Sequence, residues 1–234
     1  MRPLTAGVPK VMLPIAGRPL LEHIVLRAKE AGVDRFVLVV GYGADSVRDH
    51  FQDGRSLGVK IEYAHQNEQL GTAHALMAAE SLAEDSFMVL NGDVLPDVGA
   101  LKELAAKGMA VSAIKVDDPG RYGVFLEEDG IFQSVVEKSE DPPSNLANAG
   151  IYLFKKWIFD ELRLIPKSTR GEYELTDGLN RAANKEAIEI VELNSWLEIG
   201  RPWDILEANL ALLAQVEPRI LGEVEEGATL KGKI

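Results

Sequence analysis

One acidic side chain stands where the sequence predicts the end of a buried strand. Asp93 follows the apolar run at residues 87–90, and ligands of open α/β sheets bind beyond the carboxyl ends of the strands. A carboxylate at such a position can hold a divalent cation against phosphate oxygens. The alternative is that Asp93 caps the helix expected after Pro96. The pattern therefore predicts either a metal site or a helix cap.

A second candidate lies at residues 66–72, which follow a predicted strand and open a predicted helix. Gly71 would let a ligand approach the backbone, and the N-terminus of a helix favours an anion. The side-chain amide of Gln66 could read the edge of a nucleotide base. The alternative is a capped turn without a ligand.

Cations near the start of the chain form a third candidate. Arg2 and Lys10 lie in a loop rich in proline and glycine, and in an acidic chain such cations are candidate phosphate contacts. The alternative is a solvated terminus, which the loop pattern alone favours.

Three further charged residues occupy predicted strand ends or helix starts. Glu137 could accept hydrogen bonds from sugar hydroxyls, and Lys138 could meet a phosphate, although such a pair on its own is usually a surface ion pair. Glu198 precedes the last predicted helix. It could share a metal ion with Asp93, or it could only favour the positive end of that helix.

Composition limits the class of protein that carries these residues. The chain has 234 residues, 46% of them hydrophobic and 26% charged, which is typical of a globular protein. The absence of cysteine excludes disulfides, zinc–thiolate sites and thiol nucleophiles. A net charge of −12 opposes binding to nucleic acid. Neither a signal peptide nor a membrane-spanning run is visible, so we expect a cytoplasmic protein.

The order of the predicted elements indicates the fold class. Apolar strands and amphipathic helices alternate over residues 19–93, which favours an α/β fold with a Rossmann-like, mainly parallel sheet and helices on both faces. Short strands joined by turns over residues 111–154 predict antiparallel additions to that sheet. Residues 201–216 predict a closing helix. Glycine-punctuated apolar residues after it are typical of a β-helix coil, or of an acidic tail.

Eight segments, taken in chain order, resemble the sugar-1-phosphate nucleotidylyltransferases. The matching segments are residues 1–5 with 9–10, 66–72, 91–93, 121–124, 136–138, 148–152, 171–177 and 196–202. The resemblance is greatest to uridylyltransferases for N-acetylglucosamine-1-phosphate and to archaeal bifunctional nucleotidylyltransferase/acetyltransferase enzymes. It implies a GT-A-like mixed sheet, with the start of a left-handed β-helix after it.

The resemblance also implies a reaction and a set of roles. A sugar-1-phosphate oxygen would attack the α-phosphorus of a nucleoside triphosphate, with Mg²⁺ as cofactor, and pyrophosphate would leave. The implied roles are catalysis for Lys10, Asp93 and Lys138, nucleotide binding for Gln66, Gln69, Gly71 and Thr72, sugar-phosphate binding for Gly123, Glu137 and Asn148, and metal binding for Asp93 and Glu198.

The resemblance divides the chain into two parts and has three departures. We expect a nucleotidyltransferase domain at residues 1–217 and a truncated start of a β-helix at residues 218–234. The family's first strand, its glycine-rich loop and the arginine of that loop are expected ahead of Met1 and are absent from this sequence. Glu198 stands where the family usually has aspartate, and Ser139 stands where it usually has proline.

Several alternatives remain open at this stage. The resemblance allows UTP or dTTP, and glucose-1-phosphate or N-acetylglucosamine-1-phosphate, as substrates. It also allows a non-catalytic regulatory or scaffold subunit of the same fold, and a homo-oligomer. A glycosyltransferase is disfavoured because no Asp-x-Asp motif stands at a predicted strand end.

Overall fold

The structure is a computed structural model that describes Met1, residues 3–216, and Glu223, Glu225 and Gly227. The predicted phosphate contact Arg2 lies outside the described residues. The same holds for most of the segment at residues 218–234, where the start of a β-helix is expected.

Twelve strands and seven α-helices make up the described part of the chain. The strands are β1 (Pro14–Ile15), β2 (Arg18–Pro19), β3 (Arg35–Val40), β4 (Lys60–His65), β5 (Ser86–Leu90), β6 (Val94–Leu95), β7 (Ala110–Lys115), β8 (Gly123–Glu128), β9 (Ile131–Glu137), β10 (Leu146–Lys155), β11 (Glu189–Glu192) and β12 (Leu197–Glu198). The helices are α1 (Leu20–Glu30), α2 (Ala44–Phe51), α3 (Thr72–Ala78), α4 (Val98–Ala105), α5 (Ile158–Leu162), α6 (Leu175–Ala182) and α7 (Asp204–Ala214).

The main sheet has six strands in the order β5-β10-β7-β11-β9-β8. Alternate residues of its long strand β10 face opposite sides, as the pleat requires. Tyr152 and Phe154 join a core with α3, α5 and α6, whereas Ile151 and Leu153 join a core with α1 and α4. Helices therefore cover both faces of the sheet, which confirms that part of the predicted fold.

The sheet is mixed, as predicted, but the expectation that it is mainly parallel is wrong. Among the described strands, β3 with β4 and β7 with β11 form parallel pairs, and the other ladders are antiparallel. The reason is β10, which lies between β5 and β7 and runs antiparallel to both. The sequence pattern placed this strand as an addition to the sheet, whereas it occupies a central position.

An apolar groove separates the pair β3–β4 from the main sheet. The groove has a volume of about 580 Å³ and is lined by residues of both β3 and β5. In the described chain β3 pairs with β4 alone and β5 pairs with β10 alone, so each strand has one edge without a strand partner. Val39 of β3 is 37% exposed, although it belongs to an apolar strand. The groove therefore offers an extended segment two strand edges and apolar walls.

Helix ends follow local signals in the sequence. Helix α1 begins directly after Pro19 and directs Ile24, Val25 and Ala28 into the core. Gly32 follows it with a φ of +104°, a conformation that glycine adopts without strain. None of the helices in the described residues is both long and apolar enough to cross a bilayer.

One buried carboxylate on α5 is held by two cations of the neighbouring helix segment. Glu161 is 2% exposed, and it accepts hydrogen bonds from Lys185 and, at 3.0 Å, from Arg181. These contacts, that of Lys185 above all, lower the pKa of Glu161. A carboxyl group with a lowered pKa stabilises the fold above its ordinary pKa and loses that contribution as the pH falls through the lowered value.

We therefore predict that Glu161→Gln lowers the thermal midpoint at neutral pH by about a few degrees, because Lys185 and Arg181 lose their partner. The difference from the wild-type protein narrows as the pH falls, since the wild-type carboxylate is then protonated as well. Thermal unfolding followed by circular dichroism at several pH values measures this difference. The matched control is Glu103→Gln, at an exposed position of α4. A difference that stays constant down to about pH 3 contradicts the prediction.

Candidate active site

The carboxylate at the end of β5 is paired with a lysine from the start of the chain. Lys10 follows Pro9 and donates from Nζ to Oδ2 of Asp93 at 2.5 Å, and each side chain is about 30% exposed. Asp93 does not cap the following helix. The cap of α4 is Asp97, whose Oδ1 accepts the backbone N–H of Ala100 at 3.0 Å. The helix-cap alternative for Asp93 is therefore wrong.

A short antiparallel ribbon brings a second carboxylate to the same place. Strand β12 pairs with β6 so that Glu198 stands opposite Val94, and the N–H of Ile199 donates to the carbonyl of Asp93 at 2.8 Å. Burial raises the pKa of Glu198, and the negative charge of Asp93 raises it further, whereas Lys10 opposes this shift. These effects indicate that Lys10, Asp93 and Glu198 form one electrostatic cluster.

The donor set of this cluster fits a magnesium ion that is completed by substrate oxygens. Mg²⁺ is usually bound by one or two carboxylates together with phosphate oxygens and water. Asp93 and Glu198 supply two carboxylates, and their mutual repulsion is of the kind that a divalent cation relieves. Within the described residues, histidine, aspartate and glutamate nowhere form a group of three or more that could enclose a metal ion. The chemistry therefore suits an ion shared with a phosphorylated ligand.

The loop at residues 66–72 is stabilised by its own hydrogen bonds. The N–H of Gln66 donates to the carbonyl of Val40 at 2.8 Å, which ties the end of β4 to the end of β3. The side-chain Nε2 of Gln66 donates to the carbonyl of Gly71 at 3.2 Å. Gln69 lies beside Gly41, near the position that a Cβ atom on that glycine would occupy. The loop therefore places both glutamine side chains near the ends of the parallel pair.

Gly71 and Thr72 contact a second segment of the chain rather than open space. A Cβ atom at Gly71 would lie 2.5 Å from the carbonyl oxygen of Tyr173, and Gly71 has a φ of +108°. Oγ1 of Thr72 accepts the backbone N–H of Leu175 at 2.9 Å. Both residues are therefore required by packing against residues 173–175, a reason that the sequence pattern did not contain.

A polar cavity of about 510 Å³ holds the residues predicted for the sugar phosphate. Its lining includes Gly123, Lys138 and Asn148, and it also includes Glu198. The carboxylate of Glu137 lies at its edge beside Gly123, where a Cβ atom would approach Oε1 to 3.0 Å. The structure therefore brings the predicted sugar-phosphate residues and one predicted metal ligand to one cavity.

A bulge in β10 directs Asn148 into this cavity. The register between β10 and β7 shifts between Asn148 and Tyr152, and Gly150 within the bulge has a φ of +79°. Nδ2 of Asn148 donates to the hydroxyl of Tyr152 at 2.8 Å. Burial raises the pKa of Tyr152, so its hydroxyl stays neutral and can accept this bond. The amide of Asn148 is therefore fixed in orientation before any ligand binds.

Sequence reasoning missed two cations of the same cavity. Arg121 and Arg201 both belong to its lining. Arg121 is close enough to Glu198 to lower the pKa of that carboxyl group, in opposition to burial. Arg121 lies in the segment at residues 121–124 and Arg201 in the segment at residues 196–202. Both segments resemble the family, and this resemblance was the signal in the sequence that could have pointed to the two arginines. The lining thus holds three cations, Arg121, Lys138 and Arg201, and three carboxylates, Glu198, Asp204 and Glu207, so it offers cations to a phosphate group and acceptors to a sugar hydroxyl group.

Fold and site together define a class: an α/β protein with a mixed sheet, whose neighbouring carboxylates and polar cavity of mixed charge suit a phosphorylated ligand and a divalent cation. Comparison with known proteins gives the same class. The family described as nucleotidyl transferase matches residues 1–215. The chain belongs to the nucleotidyl transferase family.

Curated relatives and solved structures agree with this assignment. The bifunctional protein GlmU of Methanocaldococcus jannaschii is 39% identical over an alignment of 236 positions, which covers 100% of this chain and 56% of that protein. The chain thus spans little more than half the length of such relatives. The UTP–glucose-1-phosphate uridylyltransferase AglF of Haloferax volcanii is 36% identical over 91% of both chains. A UDP-glucose pyrophosphorylase complexed with UDP-glucose superposes with a TM-score of 0.81 at 26% identity, over 92% of this chain and 94% of that one.

The close approach of Gly71 to Tyr173 gives a testable prediction. Gly71→Ala is expected to lower the free energy of unfolding by about 2 kcal/mol or more, because the added Cβ meets backbone atoms and φ is positive. Chemical denaturation measures the change. Gly108→Ala is the matched control, since nothing lies within 4 Å of a Cβ atom there and its φ is not in the left-handed region. Equal stabilities of the two variants contradict the packing argument.

Proposed function

We propose that this chain catalyses Mg²⁺-dependent transfer of a nucleotidyl group from UTP or dTTP to glucose-1-phosphate or N-acetylglucosamine-1-phosphate. The observation that carries the proposal is the arrangement of Glu198. This carboxylate is repelled by Asp93 and attracted by Lys10 on one side, and it lines the cavity of Lys138 and Asn148 on the other. A metal–phosphate subsite and a sugar-phosphate subsite therefore adjoin each other.

The reaction needs positioning and charge neutralisation more than a protein nucleophile. A phosphate oxygen of the sugar-1-phosphate forms a bond to the α-phosphorus of the triphosphate. The bond from that phosphorus to the bridging oxygen breaks, and pyrophosphate leaves with the electron pair. Asp93 and Glu198 would hold the metal ion, which would neutralise phosphate charge when bound. Lys10, beside Asp93, stabilises negative charge on the triphosphate. Lys138 attracts the phosphate group of the sugar-1-phosphate.

The remaining roles follow the family resemblance. Gln66, Gln69, Gly71 and Thr72 would hold the nucleotide, with the two glutamine amides facing the base. Gly123, Glu137 and Asn148 would hold the sugar, in agreement with their places in or beside the polar cavity. The fixed amide of Asn148 favours recognition of a hydroxyl group, because its rotation is already restricted.

The choice of substrates is supported by the named relatives. One curated relative is named as a UTP–glucose-1-phosphate uridylyltransferase. A solved structure from Bacillus anthracis, in complex with sucrose, is of a protein provisionally named as a glucose-1-phosphate thymidylyltransferase. It is 27% identical with a TM-score of 0.82, over 95% of this chain and 92% of that one. These names favour uridine or thymidine nucleotides and glucose-1-phosphate. We also propose that the protein is cytoplasmic and has neither a nucleic acid nor a membrane as a partner. The proposal is compatible with a homo-oligomer.

We further propose residues 1–217 as the nucleotidyltransferase domain and residues 218–234 as the start of a β-helix. The groove between β3 and β5 supports the expectation that the domain includes one more strand. Met1 and Leu90, the last residue of β5, both pack against the cluster of buried residues around Ile15 and Leu20.

The proposed reaction is tested by measuring pyrophosphate release with Mg²⁺, across a panel of nucleoside triphosphates and sugar-1-phosphates. We expect release with UTP or dTTP together with one sugar phosphate. Asp93→Asn should lower kcat/KM by about a hundredfold or more, because several kcal/mol of charge stabilisation are lost.

The matched control for this variant is Asp97→Asn. It lies nearby in the chain, and asparagine serves equally well as a helix cap, so its activity should match that of the wild-type protein. Failure of the folded wild-type protein to release pyrophosphate with any pair would overturn the proposed reaction and favour the regulatory or scaffold subunit.

A further inference from the structure

One side chain of α6 is bonded to the carboxylate predicted to hold the sugar. Thr176 lies in the first turn of α6 and is 6% exposed. Its hydroxyl donates to Oε1 of Glu137 at 2.9 Å. Glu137 is the last residue of β9, beside the polar cavity. The bond therefore crosses from the helix layer to the edge of the candidate sugar subsite.

A second bond between α6 and β9 fixes the distance between them. Oδ1 of Asn180 accepts the N–H of Val135 at 2.8 Å, and Nδ2 of Asn180 donates to the carbonyl of Val135 at 3.2 Å. Thr176 and Asn180 are one helical turn apart, whereas Val135 and Glu137 are two strand residues apart. Four helical residues advance about 6 Å and two strand residues about 6.6 Å, so the two sets of partners stay in register.

Glu137 is exposed, and the strand around it sets the direction in which its side chain leaves the backbone. Strand pairing places Glu137 opposite Gly123, and the absence of a side chain there provides the room for Oε1. The next residue, Lys138, has a φ of +37°, and its N–H donates to the carbonyl of Tyr122 at 3.1 Å. Strand pairing thus fixes the position of the backbone of Glu137, and the hydrogen bond from Thr176 holds Oε1 at the other end of the side chain.

The same helix start is also bonded to the nucleotide loop. The N–H of Tyr173 donates to the carbonyl of Leu70, and the N–H of Ala73 donates to the carbonyl of Tyr173. Glu174, the residue before α6, is held by Ser168 and by Arg170. The start of α6 is therefore anchored at several points, which gives the hydroxyl of Thr176 a fixed origin.

We propose that Thr176 is a positioning residue for sugar-phosphate recognition. It holds Oε1 of Glu137, so that the other oxygen, Oε2, is presented to a sugar hydroxyl in a fixed direction. This inference rests on the proposed function, because it needs a sugar phosphate in the polar cavity. It assigns no contact between Thr176 and either substrate, so the effect of the residue is confined to the sugar side.

The test compares Thr176→Val, which keeps the shape but lacks the donor, with Thr176→Ser, which keeps the donor. The kinetic constants are the KM for glucose-1-phosphate, the KM for UTP and kcat. We expect the valine variant to raise the KM for glucose-1-phosphate about tenfold, as for one lost hydrogen bond to a charged group. The KM for UTP should change less than about twofold, and the serine variant should restore the wild-type value. The control Tyr63→Phe removes the hydroxyl group that donates to the carbonyl of Gln52, away from the cavity. It should change none of the three constants.

A merely structural role of Thr176 predicts a different pattern. In that case both KM values and kcat change together, or the serine variant behaves like the valine variant, and either result overturns the inference. If the valine variant does not fold, a double-mutant cycle replaces it. The cycle measures Thr176→Ala alone, Glu137→Gln alone and the two changes combined. The alanine change should then have less than about a twofold further effect in the glutamine background.

Calorimetric titration of glucose-1-phosphate separates this inference from the proposed function, because binding does not need turnover. If the wild-type protein releases no pyrophosphate but binds glucose-1-phosphate, weaker binding by the valine variant and recovery by the serine variant still support the positioning role. Equal binding by all three proteins, or no binding by the wild-type protein, overturns it.

Discussion

The candidate site depends on the backbone pairing of β6 with β12. These strands have two residues each, yet their pairing places Glu198 opposite Val94 and ties Ile199 to the carbonyl of Asp93. Without it, nothing in the main sheet would bring the two carboxylates together, because neither strand belongs to that sheet. Lys10 reaches the same place through its ion pair with Asp93, so residues 10, 93 and 198 meet although they are far apart in sequence. Burial raises the pKa of Glu198, and the like charge of Asp93 raises it further, which is an electrostatic cost that a cation can relieve.

The sequence was most informative where a pattern is local. The predicted alternation of apolar strands and amphipathic helices over residues 19–93 is confirmed from α1 to β5, since each of these elements depends on its own periodicity. The ribbon of β6 and β12 could not be predicted, because a two-residue strand has no period. The central place of β10 was missed for a related reason: strand order is set by tertiary pairing, and an antiparallel strand looks alike at the edge and in the middle of a sheet.

In the site, too, local patterns were predicted and contacts between distant segments were not. Asp93 was found as a carboxylate at a predicted strand end and Glu198 as one before the last predicted helix, and the structure brings the two close together. The packing of Gly71 against Tyr173 and the bond from Thr176 to Glu137 were not found, since both join segments distant in sequence. The residues that could touch ligands are therefore visible in the sequence more readily than those that hold them in place. The cations Arg121 and Arg201 fall between these cases, for they lay in family-like segments without an assigned role.

The most direct test of the account is the affinity for UTP, measured by calorimetry with and without Mg²⁺, in the wild-type protein and in Glu198→Gln. This substitution keeps the size of the side chain and removes its charge. The account predicts that Mg²⁺ strengthens UTP binding to the wild-type protein about tenfold or more, and that most of this gain is lost in the variant. An equal gain from Mg²⁺ in both proteins would contradict the claim that Glu198 and Asp93 together hold the metal ion.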